Sequence, residues 1–216
     1  MKSDVIRVMN SGEGMEAALR AASASAEYRG LPRKEAIRVR LLAEEMLGML
    51  RQIAGETEAD FWAESEGKSF ELHLTARPLV TGKMRRELLA VSSSGKNAAA
   101  VGVMGKLRDV FEQAFAATDF SDPADYSRFY LRGLVLSDAP EMDTMGFAMN
   151  AALRADTMSW SMQRLRESVE REKGDSPEAR EEWDELEKSI VASIADEVKI
   201  AITGNAVEMT VYKKFD

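Results

Sequence analysis

One amphipathic segment, residues 33–54, constrains the fold of this chain more than any other part of the sequence. Its apolar residues recur at three- and four-residue spacing, the period of a helix with one buried face. They include Leu42, Met46, Met49 and Ile53. Pro32 precedes the first turn, where a missing N–H costs little, and Gly55 follows the last periodic residue. The pattern predicts a helix over residues 33–54.

Two adjacent carboxylates on this helix have different surroundings. Glu44 has Arg40 one turn earlier and can form an ordinary surface ion pair with it. Glu45 has Leu41 and Met49 one turn away on either side. The Glu45 carboxylate is therefore expected at the edge of the apolar stripe, without a partner on its own helix.

Composition excludes several classes of function. The chain has 216 residues, with 29 Lys and Arg against 37 Asp and Glu, and this acidic balance argues against a nucleic-acid partner. It contains no cysteine and a single histidine, which excludes disulfides, thiolate zinc sites and multi-histidine metal sites. Neither a signal-peptide core nor a run of 18 apolar residues occurs. We expect a cytoplasmic protein that does not enter a membrane.

The N-terminal part predicts a strand, two helices and a hairpin. Val5, Ile6 and Val8 predict a short strand, and residues 13–29 predict an alanine-rich helix before the one over residues 33–54. Two alternating segments follow it. A two-residue turn at positions 66–67 would place Phe61 opposite Leu72 and Ala63 opposite Phe70, so that both apolar faces coincide.

The C-terminal part predicts a helix followed by a second hairpin. Residues 177–195 have Pro at the start and an apolar stripe of Leu186, Ile190, Val191 and Ile194. A two-residue turn at positions 204–205 would place Ile202 opposite Val207, Ile200 opposite Met209 and Val198 opposite Val211. The order of elements predicts an α+β fold, a two-layer sandwich in which helices cover one face of a mixed, mainly antiparallel sheet.

The segment LAEEMLGMLRQIA, residues 42–54, resembles the N-box helix of the histidine-kinase-like ATPase (GHKL) superfamily, especially its anti-sigma-factor serine kinases. In that family a Glu polarises the attacking water or hydroxyl, and an Asn four residues later holds Mg²⁺ against the phosphates of ATP. The resemblance implies that Glu45 is the candidate general base. Met49 replaces the Asn, and Ile53 falls on a frequent His. Mg²⁺ therefore lacks its family ligand.

The resemblance covers roughly residues 4–76 and 177–215, because the closing helix and hairpin are also similar to those of the anti-sigma kinases. We expect a single domain over 1–216, with the ATPase-like core in 1–76 and 177–216. Residues 77–176 would form a lid and a helical insertion. The family's adenine-binding Asp should follow the first hairpin, but Ala76 or Arg77 stands there. This departure argues against ATP binding.

The family's third signature is a glycine-rich turn that cradles phosphates at a helix N-terminus. The candidate here is SSSGKNAAAVGVMGK, residues 92–106. Its cofactor-binding candidates are Gly95, Lys96, Gly102, Gly105 and Lys106. A small-residue linker is the alternative interpretation, and if a phosphate-bearing ligand binds at all, we expect it in this segment.

The insertion and one sheet face indicate protein contacts. Residues 144–173 predict a helical stretch, either continuous or broken near Asp156. It is rich in methionine, with Met145, Met149, Met158 and Met162, and also contains Trp160. Methionine stripes usually lie in a core, and the alternative is an adaptable interface used by a protein partner or a homodimer. The single histidine, His73, shares a strand face with Trp62, which predicts a surface or interface residue and not a catalytic one.

Two functions remain open. The first is a regulatory protein whose degenerate ATP-binding domain acts by protein–protein interaction, like an anti-sigma factor. The second is a working ATP-binding protein or serine/threonine kinase of the anti-sigma-factor type. Met49 and the Ala76–Arg77 pair favour the first function, which is not enzymatic, and no metal site is predicted.

Overall fold

The fold was obtained as a computed structural model, which describes residues 1–51, 56–78, 159–172, 174, 177–203 and 206–216. The strands in these ranges are β1 (Ile6–Met9), β2 (Thr57–Glu66), β3 (Ser69–Pro78), β4 (Ser159–Ser161), β5 (Glu197–Thr203) and β6 (Ala206–Lys214). The helices are α1 (Met15–Tyr28), α2 (Arg33–Arg51), α3 (Met162–Glu172), α4 (Pro177–Lys188) and α5 (Ile190–Ile194).

The strands form one six-stranded sheet in the order β1-β2-β3-β6-β5-β4. Every pair of neighbouring strands is antiparallel, so the parallel component of the predicted mixed sheet is not found among the described strands. Helices α1, α2 and α3 pack on this sheet. The predicted α+β class, with helices packed on a mainly antiparallel sheet, is confirmed.

Alternation of side chains divides the sheet into a core face and an open face. Along β2 buried and half-buried residues alternate strictly, as expected when one face is covered and the other meets water. Phe61, Leu74 and Met209 are fully buried and belong to the same core as the helices. The open face carries their polar neighbours in the chain.

Small side chains bring α1 close to the rest of the helical layer. Ala18, Ala22 and Ala26 lie on one face of α1 and are fully buried, and α1 packs extensively against α2. From α2, the residues Val39, Leu42, Met46 and Leu50 enter the same core. The helix predicted over residues 33–54 is confirmed as far as Arg51, since residues 52–55 lie outside the described ranges.

The two hairpins differ in how well the predicted register fits. In β5–β6, Ile202 faces Val207 and Ile200 faces Met209, as predicted. In β2–β3, Phe61 faces Leu74 and not Leu72, because the turn lies at residues 67–68, one residue later than predicted. Gly67 has φ 55°, a left-handed value that favours glycine at the first turn position. Each residue of β2 therefore pairs with a residue two positions later in β3 than predicted. Because side chains alternate with a period of two, the predicted apolar faces still coincide.

Two predicted helical stretches are interrupted. Ser189 has an extended backbone (φ −74°, ψ 127°) and caps α5 by accepting a hydrogen bond from the Ala192 N–H, so residues 177–195 form two helices. Ile190 is consequently exposed and does not continue the apolar stripe. Within the predicted helix 144–173, residues 159–161 form strand β4, which pairs with β5.

Among the described residues, no helix is long and apolar enough to span a bilayer.

Candidate functional site

The candidate general base, Glu45, lies on α2 beside the core and is partly exposed. Burial raises the pKa of its carboxyl, and the neighbouring Glu44 carboxylate raises it further. Glu44 itself pairs with Arg40, whose Nε lies 3.0 Å from Glu44 Oε1. Within the described residues, Glu45 has no hydrogen bond or ion pair, as its helical neighbours predicted. The two adjacent carboxylates therefore have different environments.

Met49, one turn after Glu45, is a core residue. Its side chain is 2 % exposed and belongs to the same cluster as Leu42, Met46 and Leu50. A thioether is a soft, weak acceptor, whereas Mg²⁺ prefers hard oxygen ligands in octahedral geometry. The Met49 side chain therefore packs in the core and does not provide a ligand for Mg²⁺. Ile53, the next position of the motif, lies outside the described residues.

The end of β3, where the resemblance expects the adenine-binding carboxylate, has neither a carboxylate nor a free polar group. Ala76 is fully buried and pairs with Ala59 on one side and Val207 on the other. Arg77 places its guanidinium 2.9 Å from the Asp60 carboxylate. A purine amino group needs an acceptor, and this segment presents a methyl group and a cation instead.

The glycine and lysine candidates cannot be compared with this geometry. Gly95, Lys96, Gly102, Gly105 and Lys106 all lie outside the described residues. Within the described ranges, no group of three or more histidine and carboxylate side chains is arranged to hold a metal ion. Of the sequence-based site, the structure thus describes Glu45, Met49 and the end of β3.

Sequence reasoning missed a stacked cluster on the open face of the sheet. Trp62 stacks on His73 with ring centroids 4.7 Å apart and an angle of 5° between the planes. Lys2 lies 4.7 Å from the Trp62 ring and 3.0 Å from Glu64 Oε1, which also accepts from Trp62 Nε1 at 2.8 Å. The alternation of side chains along β2 and β3 predicted that the two rings share a face. The contact with Lys2 was not predicted, because Lys2 is about 60 residues away from Trp62 in the sequence.

The surroundings of His73 in this cluster disfavour the charged form of its ring. Burial lowers its pKa, and this outweighs the nearby carboxylates of Glu64 and Glu71, which favour the charged form. Nδ1 lies 3.4 Å from Thr210 Oγ1, whereas Nε2 is buried and has no hydrogen bond. Glu71 Oε2, 3.5 Å from Nε2, becomes an ion-pair partner only when the ring is protonated. The arrangement is that of a packed surface histidine, as predicted.

The described part of the methionine-rich stretch belongs to the core. Trp160 and Met162 are both buried within their own chain. Met145, Met149 and Met158 lie outside the described residues. Trp160 and Met162 are therefore not available to a partner, which removes two residues from the predicted interface.

The comparisons with known proteins add no relative to this description. No family model, no curated protein and no solved structure matches the chain.

Proposed function

We propose that this chain is a regulatory protein that acts by binding another protein, like an anti-sigma factor, and that it performs no Mg²⁺-dependent ATP chemistry. The observation that supports this most strongly is the burial of Met49. In the family that the helix resembles, this position holds the metal ion against the phosphates, and here it fills the core beneath the helix. A buried thioether cannot become a magnesium ligand without unpacking α2.

The end of β3 supports the same proposal independently. Recognition of adenine depends on a carboxylate that accepts from the amino group, and a site that lacks such a partner loses much of its discrimination. Ala76 is part of the core, and Arg77 is engaged by Asp60. Two of the three contacts that the family makes with ATP are thus replaced by structural interactions.

One observation favours the second function, a working ATP-dependent enzyme. Glu45 combines partial burial, a raised pKa and no described partner, which are properties of carboxylates that act as general bases. The same properties follow from its place at the edge of an apolar stripe, however. Because the base alone neither binds ATP nor holds its metal, this observation carries less weight than the loss of the two binding contacts.

Isothermal titration calorimetry separates the two functions. ATP with Mg²⁺ is titrated into the full chain, and Mg²⁺ alone is titrated as the control. We expect no saturable heat of binding. A saturable isotherm that depends on Mg²⁺ would support the second function and overturn the proposal.

A further inference from the structure

The start of α2 is unusually basic for an acidic chain. Residues 28–40 contain five Arg or Lys and a single Glu, whereas the whole chain has 29 cations against 37 carboxylates. Two of the five have structural roles: Arg29 donates to Ser65, and Arg40 pairs with Glu44. The remaining three are Arg33, Lys34 and Arg38. No interaction joins them to another residue of the described part of the chain.

Two of these cations lie in the first turn of α2, where the helix dipole makes a positive charge unfavourable. The first turn of a helix carries the positive end of its dipole, so Asp and Glu stabilise it there and Arg and Lys do not. Arg33 and Lys34 occupy the first two positions of α2. A local preference that is violated without a compensating contact often marks a residue kept for function.

Two exposed apolar side chains belong to the same stretch of the chain as these cations. Tyr28 is 72 % exposed and Ile37 is 47 % exposed. Helical spacing places Ile37 one turn after Arg33 and Lys34, on the same side of the helix. Aromatic and aliphatic anchors with a charged rim are the composition of protein interfaces. We call Tyr28, Arg33, Lys34, Ile37 and Arg38 the basic patch.

Exposed carboxylates lie on α4, in an acidic stretch of the sequence. Residues 178–187 contain six carboxylates and one Arg. Asp184 and Glu187 are exposed, and Glu187 accepts from Trp183 Nε1 at 2.9 Å. Trp183 is half-buried, and Ile190, at the start of α5, is 44 % exposed. We call Trp183, Asp184, Glu187 and Ile190 the acidic patch.

Both patches lie toward the end of the sheet that carries the β2–β3 turn. The hydrogen bonds from Arg29 to Ser65 fix the α1–α2 corner at this end. Asp196, two residues after the end of α5, accepts hydrogen bonds from Lys213 Nζ and the Lys214 N–H. Lys213 and Lys214 pair with residues 70 and 69 beside the same turn. Helix α5 also packs against α2. The basic start of α2 and helix α5, which carries Ile190 of the acidic patch, therefore lie toward the same end of the sheet.

We infer that the chain forms a symmetric homodimer in which the basic patch of each copy binds the acidic patch of the other. Two complementary surfaces toward the same end of a molecule can meet twice about one two-fold axis, so that the contact closes at two copies and does not continue into a fibre. Opposite charges give the contact its orientation, and the exposed apolar residues give it buried area. This inference goes beyond the proposed function, because it concerns contacts between two copies of the chain and does not depend on whether ATP binds.

Analytical ultracentrifugation of the full chain tests the dimer. At low ionic strength we expect twice the mass of one chain, with dissociation as salt rises, because exposed charges are screened. Arg33→Glu/Lys34→Glu and, separately, Asp184→Lys/Glu187→Lys should each weaken the dimer at least about tenfold. Mixing the two variants should restore a dimer, because the reversed basic patch of one then meets the reversed acidic patch of the other.

A matched control reverses two cations outside both patches. Arg20→Glu/Lys199→Glu should keep the dimer of the unchanged chain, and circular dichroism should show that every variant is folded. A monomeric unchanged chain would overturn the inference. So would a dimer that survives both reversals, or two variants that stay monomeric when mixed. These results concern mass alone, so they leave the calorimetric test of ATP binding to decide the proposed function separately.

Discussion

The two halves of α2 differ in what they offer to a ligand. The N-terminal half presents Arg33, Lys34 and Ile37 outward, with cations that no described residue pairs. The C-terminal half contributes Met49 to the core and holds Glu45 at its edge, where an ATPase of the resembled family binds metal. The comparison teaches that burial, and not spacing alone, decides which side chains of a helix are accessible to a ligand. In α2, the charged groups that a ligand can reach are the cations of the N-terminal half.

The largest effect should come from restoring the family's amide in the C-terminal half. Met49→Asn removes a buried apolar side chain and buries an amide with no partner in the core. We expect the free energy of unfolding to fall by about 2–4 kcal/mol. Urea denaturation measures this loss.

Met49→Leu is the matched control for that substitution. It keeps the volume and the apolar character, and it should cost less than about 1.5 kcal/mol. If Met49→Asn were as stable as Met49→Leu and also bound Mg²⁺, the side chain would have access to a ligand, and the contrast between the halves of α2 would be wrong.

Much of the fold could be predicted because its apolar periods are long and agree with each other. The β5–β6 register was correct because a Gly-Asn turn and three apolar cross-strand pairs require the same alignment. In β2–β3, a turn at residues 66–67 and a turn at residues 67–68 both place the apolar residues of the two strands on the same face. The apolar period therefore could not distinguish the two turns. Strand β4 was missed because three residues, Ser-Trp-Ser, show no period of their own before a helix.

The candidate site was predictable only where it depends on local sequence. The lack of a partner for Glu45 followed from its helical neighbours, and the pairing of Glu44 with Arg40 did too. The ion pair between Arg77 and Asp60 and the position of Lys2 over Trp62 depend on strand register and long-range docking. Such contacts form only when the strands pair in the folded sheet, and the spacing of residues within one segment does not predict them.

A smaller effect of opposite sign is expected in the N-terminal half. Carboxylates in the first turn of α2 suit the helix dipole better than cations, so Arg33→Glu/Lys34→Glu should stabilise the monomer. We expect a gain of about 0.5–1 kcal/mol. The unchanged chain and the variant are compared at protein concentrations low enough that both are monomeric, so that dimer formation does not contribute to the measurement.

Thermal denaturation at low salt would report this gain. If the paired substitution instead lowered the stability of the monomer, the two cations would have a structural role. They would then not be residues kept for binding at the expense of helix stability.

The smallest effects distinguish the two adjacent carboxylates. Glu44→Gln removes an exposed ion pair with Arg40 and should cost about 0.3–0.5 kcal/mol. Glu45→Gln should stabilise the fold at neutral pH, because the raised folded-state pKa means that ionisation of this carboxyl opposes folding. The advantage should disappear as pH falls below the ordinary pKa of a glutamate, where the carboxyl is protonated in both states.

Urea titrations of both variants at neutral and acidic pH would measure that difference. A stability gain for Glu45→Gln that did not change with pH would show that packing is responsible. The Glu45 carboxyl would then not be under the electrostatic strain that its environment indicates.

The central claim is that the C-terminal half of α2 supports no metal-dependent ATP chemistry. A continuous phosphate-release assay with the full chain, ATP and Mg²⁺ tests it most directly, with Glu45→Gln measured in parallel. The account predicts that both proteins release phosphate at the rate of buffer alone. Turnover by the unchanged chain that requires Mg²⁺ and disappears in Glu45→Gln would contradict it, because it would show the general base at work.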